Sequence, residues 1–250
     1  MAAYTLPFEK PLLDLQNKIE ELRRVAREQG IDAPQDVARL ESQLAETRRG
    51  IYAALTPWQK VLVSRHPRRP YTRDYIAAFV KDFTELHGDR LLSDDLSIVG
   101  GLGWIGAERV MVIGEGGSGG ALGIGVANRI LILEHSYYSV ISPEGCAAIL
   151  WKNRSHADTA ATALKLTAPD LVELGIADEI IPEPLGGAHS DPETAAEAIR
   201  TAILKNLAQL KKLTPHQLLD QRYAKFRTMG IFKEGPVPAL TPPPLPVDNG

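Results

Sequence analysis

The feature that most constrains this chain is a glycine-rich segment at positions 114–121, directly after the apolar run 110–113. Six of the ten residues from 114 to 123 are glycine, more than close packing of a helix on a strand requires. A β-branched run broken in this way predicts a strand, a tight turn and the start of a helix. Because glycine lacks a Cβ, the backbone can approach a ligand closely and offer its unpaired amides as donors. The segment therefore predicts a site that binds an anion or an oxyanion.

A dinucleotide-binding turn is a second interpretation of the same glycines. Gly114, Gly116 and Gly119 follow the G-x-G-x-x-G pattern, and Glu134 stands twenty residues beyond Gly114, where such a fold places its ribose-binding acid. The stretch 121–129 is short for the crossover helix of that fold. An NAD-binding oxidoreductase is therefore ranked second.

A hydrolase is a third interpretation. The segment also contains G-x-S-x-G, which makes Ser118 a candidate nucleophile with Asp178 and His189 downstream in hydrolase order. A serine flanked by glycines matches this pattern easily, so the match is weakly specific. A phosphate-binding P-loop is excluded because no Lys-Ser or Lys-Thr follows the glycines.

The composition indicates one sizeable domain with appendages. The chain has 250 residues, 44% of them hydrophobic, and its formal net charge of −3 gives no general attraction for nucleic acid. Its single cysteine, Cys146, excludes an internal disulfide and a cysteine-based metal site made by this chain alone. No leader sequence or membrane-spanning run is evident, so we expect no membrane association and a cytoplasmic location.

A local basic cluster stands apart from this balance. It consists of Arg65, His66, Arg68, Arg69 and Arg73. We interpret the cluster as a solvated turn or a subunit contact. A site for a phosphate-bearing cofactor is the sharper alternative, because several arginines close together attract such a group.

Apolar periodicity predicts an α/β chain with helices at both ends. The predicted helices span residues 11–55 as a hairpin, 72–86, 157–165, 169–174, 192–212 and 215–229. The predicted strands span residues 96–102, 109–113, 130–133, 138–141 and 176–181. A turn at Gly106 joins the first two strands, and Gly175 ends the helix before the last one. Ser142, Pro143 and Glu144 have the types expected of a helix cap, first position and first-turn charge.

Several longer motifs carry a specific resemblance. They occupy residues 69–72, 88–90, 98–101, 114–121, 138–147, 149–152 and 183–189. With these motifs the chain resembles the α subunit of bacterial acetyl-CoA carboxylase carboxyltransferase from its helical N-terminus to about residue 230. The Pro-rich stretch 231–250 lies outside the resemblance and is expected to be disordered.

The resemblance implies a fold, an activity and partners. The fold is an α/β, crotonase-like spiral core of ββα units, and the reaction moves a carboxyl group from carboxybiotin to acetyl-CoA. The product is malonyl-CoA, in the first committed step of fatty-acid synthesis. The family works as an α2β2 heterotetramer with a β subunit, together with the biotin carboxyl carrier protein and biotin carboxylase. Biotin then arrives on the carrier, zinc belongs to the β subunit, and this chain binds no cofactor covalently and no metal.

The resemblance also assigns site residues, and the family needs no side-chain nucleophile. Backbone amides that hold an oxyanion carry over to Gly116, Gly117, Gly119 and Gly120. Such amides fit the reaction, because carboxyl transfer places negative charge on a carbonyl oxygen. The substrate-binding candidates are Ala121, Ser142, Glu144 and Gly145, of which those in the 142–146 turn are weaker.

One departure from the family pattern bears on activity. In the family, a pocket loop and further repeat units separate the strand matching 109–113 from the glycine segment, whereas here the two are joined directly. The crotonase-like core is therefore expected to be incomplete, less stable and poorly active. A deleted variant, a faulty gene sequence and a chain that tolerates the loss remain open, and because of the missing segment a non-catalytic assembly subunit is an alternative to the active carboxyltransferase. The expected division is an N-terminal helical hairpin at 1–60, a carboxyltransferase domain at 61–230 and the tail at 231–250.

Overall fold

The computed structural model describes residues 4–29, 34–87, 98–115 and 125–229, and over these it is a mixed α/β protein. The helices in this part are α1 (Lys10–Gln29), α2 (Pro34–Ala53), α3 (Pro57–Ser64), α4 (Thr72–Phe79), α5 (Pro143–Leu150), α6 (Ala157–Ala163), α7 (Ala168–Glu173), α8 (Pro192–Leu210) and α9 (Pro215–Thr228). The strands are β1 (Lys81–Glu85), β2 (Ile98–Ile105), β3 (Glu108–Glu115), β4 (Leu131–Leu133) and β5 (Glu179–Ile181). Short 3₁₀ turns at Pro7–Glu9 and Arg154–His156 complete the described elements.

The two long N-terminal helices pack on each other and on α3. Leu12, Leu15 and Ile19 recur at helical spacing and are the buried face of α1. Leu12 belongs to a core cluster with Tyr52 of α2, whose hydroxyl donates a hydrogen bond to a Glu9 carboxylate oxygen at 2.7 Å. This region therefore has an apolar core with one satisfied polar contact inside it.

An antiparallel sheet of order β1-β2-β3 lies beyond this region. The predicted hairpin is confirmed: β2 and β3 pair from Ile98↔Glu115 to Ile105↔Glu108 around a turn in which Gly106 has φ +61°. One face of the sheet packs Val110 and Val112 under α4 and α8. On the opposite face of the sheet, the apolar side chains of Leu102, Met111 and Ile113 are exposed among the described residues.

The C-terminal part contains a second, smaller sheet. Strands β4 and β5 are short and parallel, and Ile132 packs there with Ala168, Leu171 and Ala177. Gly175, which follows the C-cap residue Leu174 of α7, has φ +70°, so its prediction as a helix stop is confirmed. Helix α6 packs against α3 through small side chains such as Ala161.

Two predicted elements are wrong. The predicted helix 72–86 ends at Phe79, and 81–85 instead forms strand β1, because pairing with β2 overrides the helical spacing of the apolar residues. The predicted strand 138–141 is not a strand. Only an isolated bridge between Tyr137 and Thr167 forms there, and Val140 is exposed.

Two predictions fall outside the described residues. These are the helix start after the glycine segment and the disordered tail at 231–250. Within the part that the structure describes, no helix is both long and apolar enough to cross a membrane.

Neighbouring glycines of β2 provide a test of the sheet. A Cβ at Gly101 would lie 2.5 Å from the Phe83 ring and 2.6 Å from the Thr84 carbonyl oxygen, whereas a Cβ at Gly100 meets nothing within 4 Å. Gly101→Ala is expected to lower the free energy of unfolding by about 1–3 kcal/mol because the overpacked sheet must shift. Gly100→Ala, the matched control, is expected to change it by less than about 1 kcal/mol. Urea titration measures both, and equal effects would contradict this packing.

Candidate functional site

The start of α5 brings three predicted substrate-binding residues together. Ser142 is extended and caps the helix, since its Oγ accepts a hydrogen bond from the Gly145 amide at 3.1 Å. Pro143 occupies the first helical position, as the sequence predicts. Ser142, Glu144 and Gly145 line a cleft of about 390 Å³ with Arg65 and Arg154.

Three charged side chains line this cleft, and two of them, Arg65 and Glu144, form an ion pair, which leaves Arg154 as an additional cation. Arg65 donates to Glu144 at 2.5 Å and to the Tyr137 hydroxyl at 2.9 Å. Burial raises the pKa of Glu144, but the hydrogen bonds from Arg65 and from its own backbone amide, together with the charges of Arg65 and Arg154, outweigh this effect, so the pKa is lowered and the group stays ionised. The charge of Arg154 helps to lower the pKa of Glu144, but among the described residues no ion pair within 4 Å joins Arg154 to a carboxylate. The cleft can therefore accept a small anion or an acidic part of a larger ligand.

The predicted oxyanion residues lie elsewhere in the chain. Gly116, Gly117, Gly119, Gly120 and Ala121 fall between the end of β3 and residue 125, outside the described residues. Their amides remain a prediction from the sequence.

A second arginine of the basic cluster forms a buried ion pair. Arg69 and Glu183 pair at 2.6 Å, with side chains 8% and 0% exposed. Glu183 also accepts hydrogen bonds from the amides of His135 and Ala188, at 3.0 and 2.7 Å. Arg69 donates to the Ser136 hydroxyl at 3.0 Å. Burial raises the pKa of Glu183, but the hydrogen bonds and charge of Arg69 hold it below its usual value.

Two histidines stack beside this pair. The rings of His66 and His189 are 3.7 Å apart and inclined by 14°. The Arg68 amide donates to Nδ1 of His66 at 3.1 Å. Burial lowers the pKa of both histidines, and for His189, where the neighbouring His66 adds to the effect, to about 4. Both rings are therefore neutral at pH 7.

The basic cluster is a solvated turn only in part, because Arg65, Arg68 and Arg73 are exposed whereas His66 and Arg69 are buried. Arg65, Arg69 and Arg73 each pair with a different carboxylate, respectively Glu144, Glu183 and Glu85. The burial of His66 and Arg69 corrects the prediction for these two residues, and the alternative of a subunit contact stays a prediction.

Glu134, the acid of the dinucleotide-binding interpretation, and Asp178, the acid of the hydrolase interpretation, both accept hydrogen bonds from backbone amides. Glu134 accepts a hydrogen bond from the Glu183 amide at 3.1 Å, and Asp178 accepts one from the Ile130 amide at 2.6 Å. Asp178 also pairs with Lys225, so its carboxylate is not held against His189 as a hydrolase relay requires. Ser118 lies outside the described residues, among which no cluster of His, Cys, Asp and Glu could hold a metal ion.

Sequence reasoning missed Arg65 and Arg154 at the cleft and the pairing of Arg69 with Glu183. Arg65 and Arg69 belong to the basic cluster, and Glu183 to the motif 183–189. The cluster and the motif were both recognised in the sequence. However, Arg65 and Glu144 are 79 residues apart in the chain, and Arg69 and Glu183 are 114 residues apart. Local spacing does not encode such contacts.

Comparison with known proteins defines the class of this chain. Residues 5–115 and 110–230 match the family described as "Acetyl co-enzyme A carboxylase carboxyltransferase-like". The acetyl-coenzyme A carboxylase carboxyl transferase subunit alpha of Acaryochloris marina is 40% identical, over 92% of this chain and 97% of that protein. The protein of the same name from Thermus thermophilus is 38% identical, over 92% of this chain and 99% of its own length.

The chain is therefore of the carboxyltransferase class. Within that class, it belongs to the family of acetyl-CoA carboxylase carboxyl transferase α subunits, so the resemblance found in the motifs is confirmed.

The comparison also locates what this chain lacks. The alignment with the Acaryochloris marina protein spans 315 positions and includes 92% of this chain, or about 230 of its 250 residues. About 85 positions of the alignment therefore have no counterpart here. The two family matches meet at residues 110–115, within β3. The missing segment thus falls where the two matches meet, within residues 110–115, in agreement with the departure seen in the sequence.

His189 is expected to make the protein less stable as the pH falls from about 7 to 4. The folded protein holds the pKa of His189 at about 4, whereas the ordinary value is 6.5. Between these values the unfolded chain binds more protons, so the free energy of unfolding falls with the pH, by up to about 3 kcal/mol from this residue. Urea titrations across this pH range measure the dependence.

A histidine on the surface provides the control. His189→Asn is expected to flatten the pH dependence, whereas His216→Asn, at an exposed position of α9, is expected to leave it as in the wild type. Equal slopes for the wild type and His189→Asn would contradict the assignment.

Proposed function

We propose that this chain is the α subunit of a carboxyltransferase that moves a carboxyl group from carboxybiotin to acetyl-CoA to give malonyl-CoA. The observation that carries the proposal is the family match, which covers residues 5–230 in two parts. It is supported by relatives at 38–40% identity that carry the name of this subunit. The NAD-binding and hydrolase interpretations have no comparable support.

We infer a crotonase-like core for residues 61–230, preceded by a helical hairpin at 1–60 and followed by the tail at 231–250. The packing of α1 on α2 supports the hairpin, and the split into two small sheets is consistent with a core that has lost repeat units. In such a core the amides of Gly116, Gly117, Gly119 and Gly120 would stabilise charge on a carbonyl oxygen. Each such donor contributes about 3–4 kcal/mol to a transition state.

The α5 cleft is proposed as the second part of the site. The Ser142 cap and the Arg65–Glu144 pair hold the first turn of α5, to which Gly145 belongs. Arg154 supplies a cation that suits the acidic groups of acetyl-CoA. Glu144 is held ionised by Arg65 and therefore positions the cleft without donating a proton.

The proposed partners follow from the family. The name of the relatives, subunit alpha, supports a β subunit, with which we propose an α2β2 assembly. Biotin would reach the site on its carrier protein after carboxylation by biotin carboxylase, and zinc would belong to the β subunit. A single cysteine in this chain is consistent with that division, and a cytoplasmic location fits these partners.

A role in assembly with little turnover is favoured by one observation. About 85 aligned positions of the relatives are absent at residues 110–115, where the two family matches meet within β3. Loops from these positions would close part of the pocket in a spiral core. We therefore propose that this chain binds the β subunit and that its carboxyl transfer is slow.

The experiment compares this chain with the full-length Acaryochloris marina α subunit. Each is mixed with the β subunit, biotinylated carrier protein, biotin carboxylase, ATP, bicarbonate and acetyl-CoA, and malonyl-CoA is measured. Copurification with the β subunit is expected, together with turnover at least about 100-fold lower than that of the relative, since loss of one oxyanion donor alone costs this much. Comparable turnover would show the missing segment to be dispensable. Affinity for NAD without any response to the β subunit would contradict the proposed function.

A further inference from the structure

A second pocket lies between the N-terminal helices and the segment that follows β5. Its volume is about 390 Å³, and small-molecule sites occupy about 300–1,000 Å³. Its wall is built from the segment before α1, from α1 and α2, from the segment after α3 and from residues 186–190. None of its lining residues lines the α5 cleft. We call it the N-terminal pocket, and its wall includes Tyr4, Glu9, Leu13, Arg48, Arg68 and His189.

Two arginines of the N-terminal pocket have no carboxylate partner. Arg48 is a half-buried residue of α2, and Arg68 is an exposed residue of the basic cluster. Within the part of the chain that the structure describes, no ion pair within 4 Å joins either guanidinium to a carboxylate, whereas the other three arginines of the cluster each have one. Arg68 is therefore available for the phosphate-bearing ligand that the sequence suggests as an alternative for this cluster.

The carboxylate in this wall, Glu9, is engaged within the protein. Its Oε1 accepts a hydrogen bond from the Tyr52 hydroxyl at 2.7 Å, and its Oε2 accepts one from the Leu6 amide at 2.9 Å. Burial lowers the pKa of His66 and His189, so both rings of the wall are neutral at pH 7. The charged side chains of the pocket are then two guanidiniums and one carboxylate, and their net positive charge favours an anion.

His189 adds an unsatisfied polar atom to the same wall. The residue is 8% exposed, and its Nδ1 has no hydrogen-bond partner among the described residues. Buried polar atoms in proteins are nearly always hydrogen-bonded, so this nitrogen marks a place where a ligand can supply the partner. In the tautomer that carries its proton on Nδ1, the neutral ring donates to an oxygen acceptor. This observation is independent of the arginines and favours the same kind of ligand.

We propose that the N-terminal pocket binds the phosphate group of a small phosphorylated organic molecule, at a site separate from the proposed carboxyl transfer. A phosphomonoester carries about −1.5 to −2 charge at pH 7 on a single group with three acceptor oxygens, which suits two guanidiniums better than a monocarboxylate does. Leu13 and the ring of Tyr4, which is 53% exposed, supply apolar surface for the organic part of the ligand.

Isothermal titration calorimetry of the full chain with glycerol 3-phosphate tests the proposal. Binding is expected with a dissociation constant below about 1 mM. Arg48→Gln and Arg68→Gln each remove a charged donor, so each is expected to raise this constant at least about tenfold. Arg49→Gln is the matched control, because Arg49 is an exposed neighbour of Arg48 on α2 that does not line the pocket, and it is expected to leave the constant unchanged. Thermal unfolding checks that all three variants fold.

Two further ligands identify the chemistry that the pocket recognises. Inorganic phosphate lacks the organic part, and succinate divides its charge between two separate carboxylates, so each is expected to bind at least about threefold more weakly than glycerol 3-phosphate. No binding of glycerol 3-phosphate, an equal loss in Arg49→Gln, or binding of either further ligand as tightly would each overturn the proposal. The chain is titrated without β subunit or acetyl-CoA, so the result does not depend on carboxyl transfer.

Discussion

The buried ion pair between Arg69 and Glu183 is the contact on which the rest of the described structure depends. Removing two charges from water is costly, and the cost is offset only where every remaining polar atom finds a partner. Here the Glu183 carboxylate accepts from Arg69 and from the amides of His135 and Ala188, and Arg69 also reaches Ser136. The pair thus joins the segment after α3, the segment after β4 and the segment after β5.

This joining determines the geometry of the α5 cleft. Arg69 follows Arg65 closely in the chain, in the segment after α3, and Ser136 directly precedes Tyr137. Because Arg69 holds Ser136, Tyr137 is in place to accept a hydrogen bond from Arg65, whose other donors bind Glu144 at the start of α5. The ionised state of Glu144 and the position of its cleft therefore depend on a pair that does not line the cleft.

Local chemistry in the sequence predicted much of the fold, and contacts distant in the chain account for what it missed. The Ser142 cap, the Gly106 turn and the Gly175 stop depend on a few neighbouring residues, and all three were predicted correctly. Residues 81–85 were assigned to a helix because only pairing with β2 makes them a strand. The sequence did not predict the ion pairs of Arg65 and Arg69 for the same reason, because their partners are distant in the chain. The family was recognisable because each of its motifs is contiguous. The oxyanion glycines remain a prediction.

A double-mutant cycle on Arg69 and Glu183 tests most directly whether this pair holds the structure together. The free energy of unfolding is measured for the wild type, Arg69→Met, Glu183→Leu and the double variant. Each single variant leaves a buried charge unpaired and is expected to lose about 3–5 kcal/mol, while the double variant is expected to lose no more than either single one. Single losses that are small and add in the double variant would contradict the account, because the two side chains would then act independently.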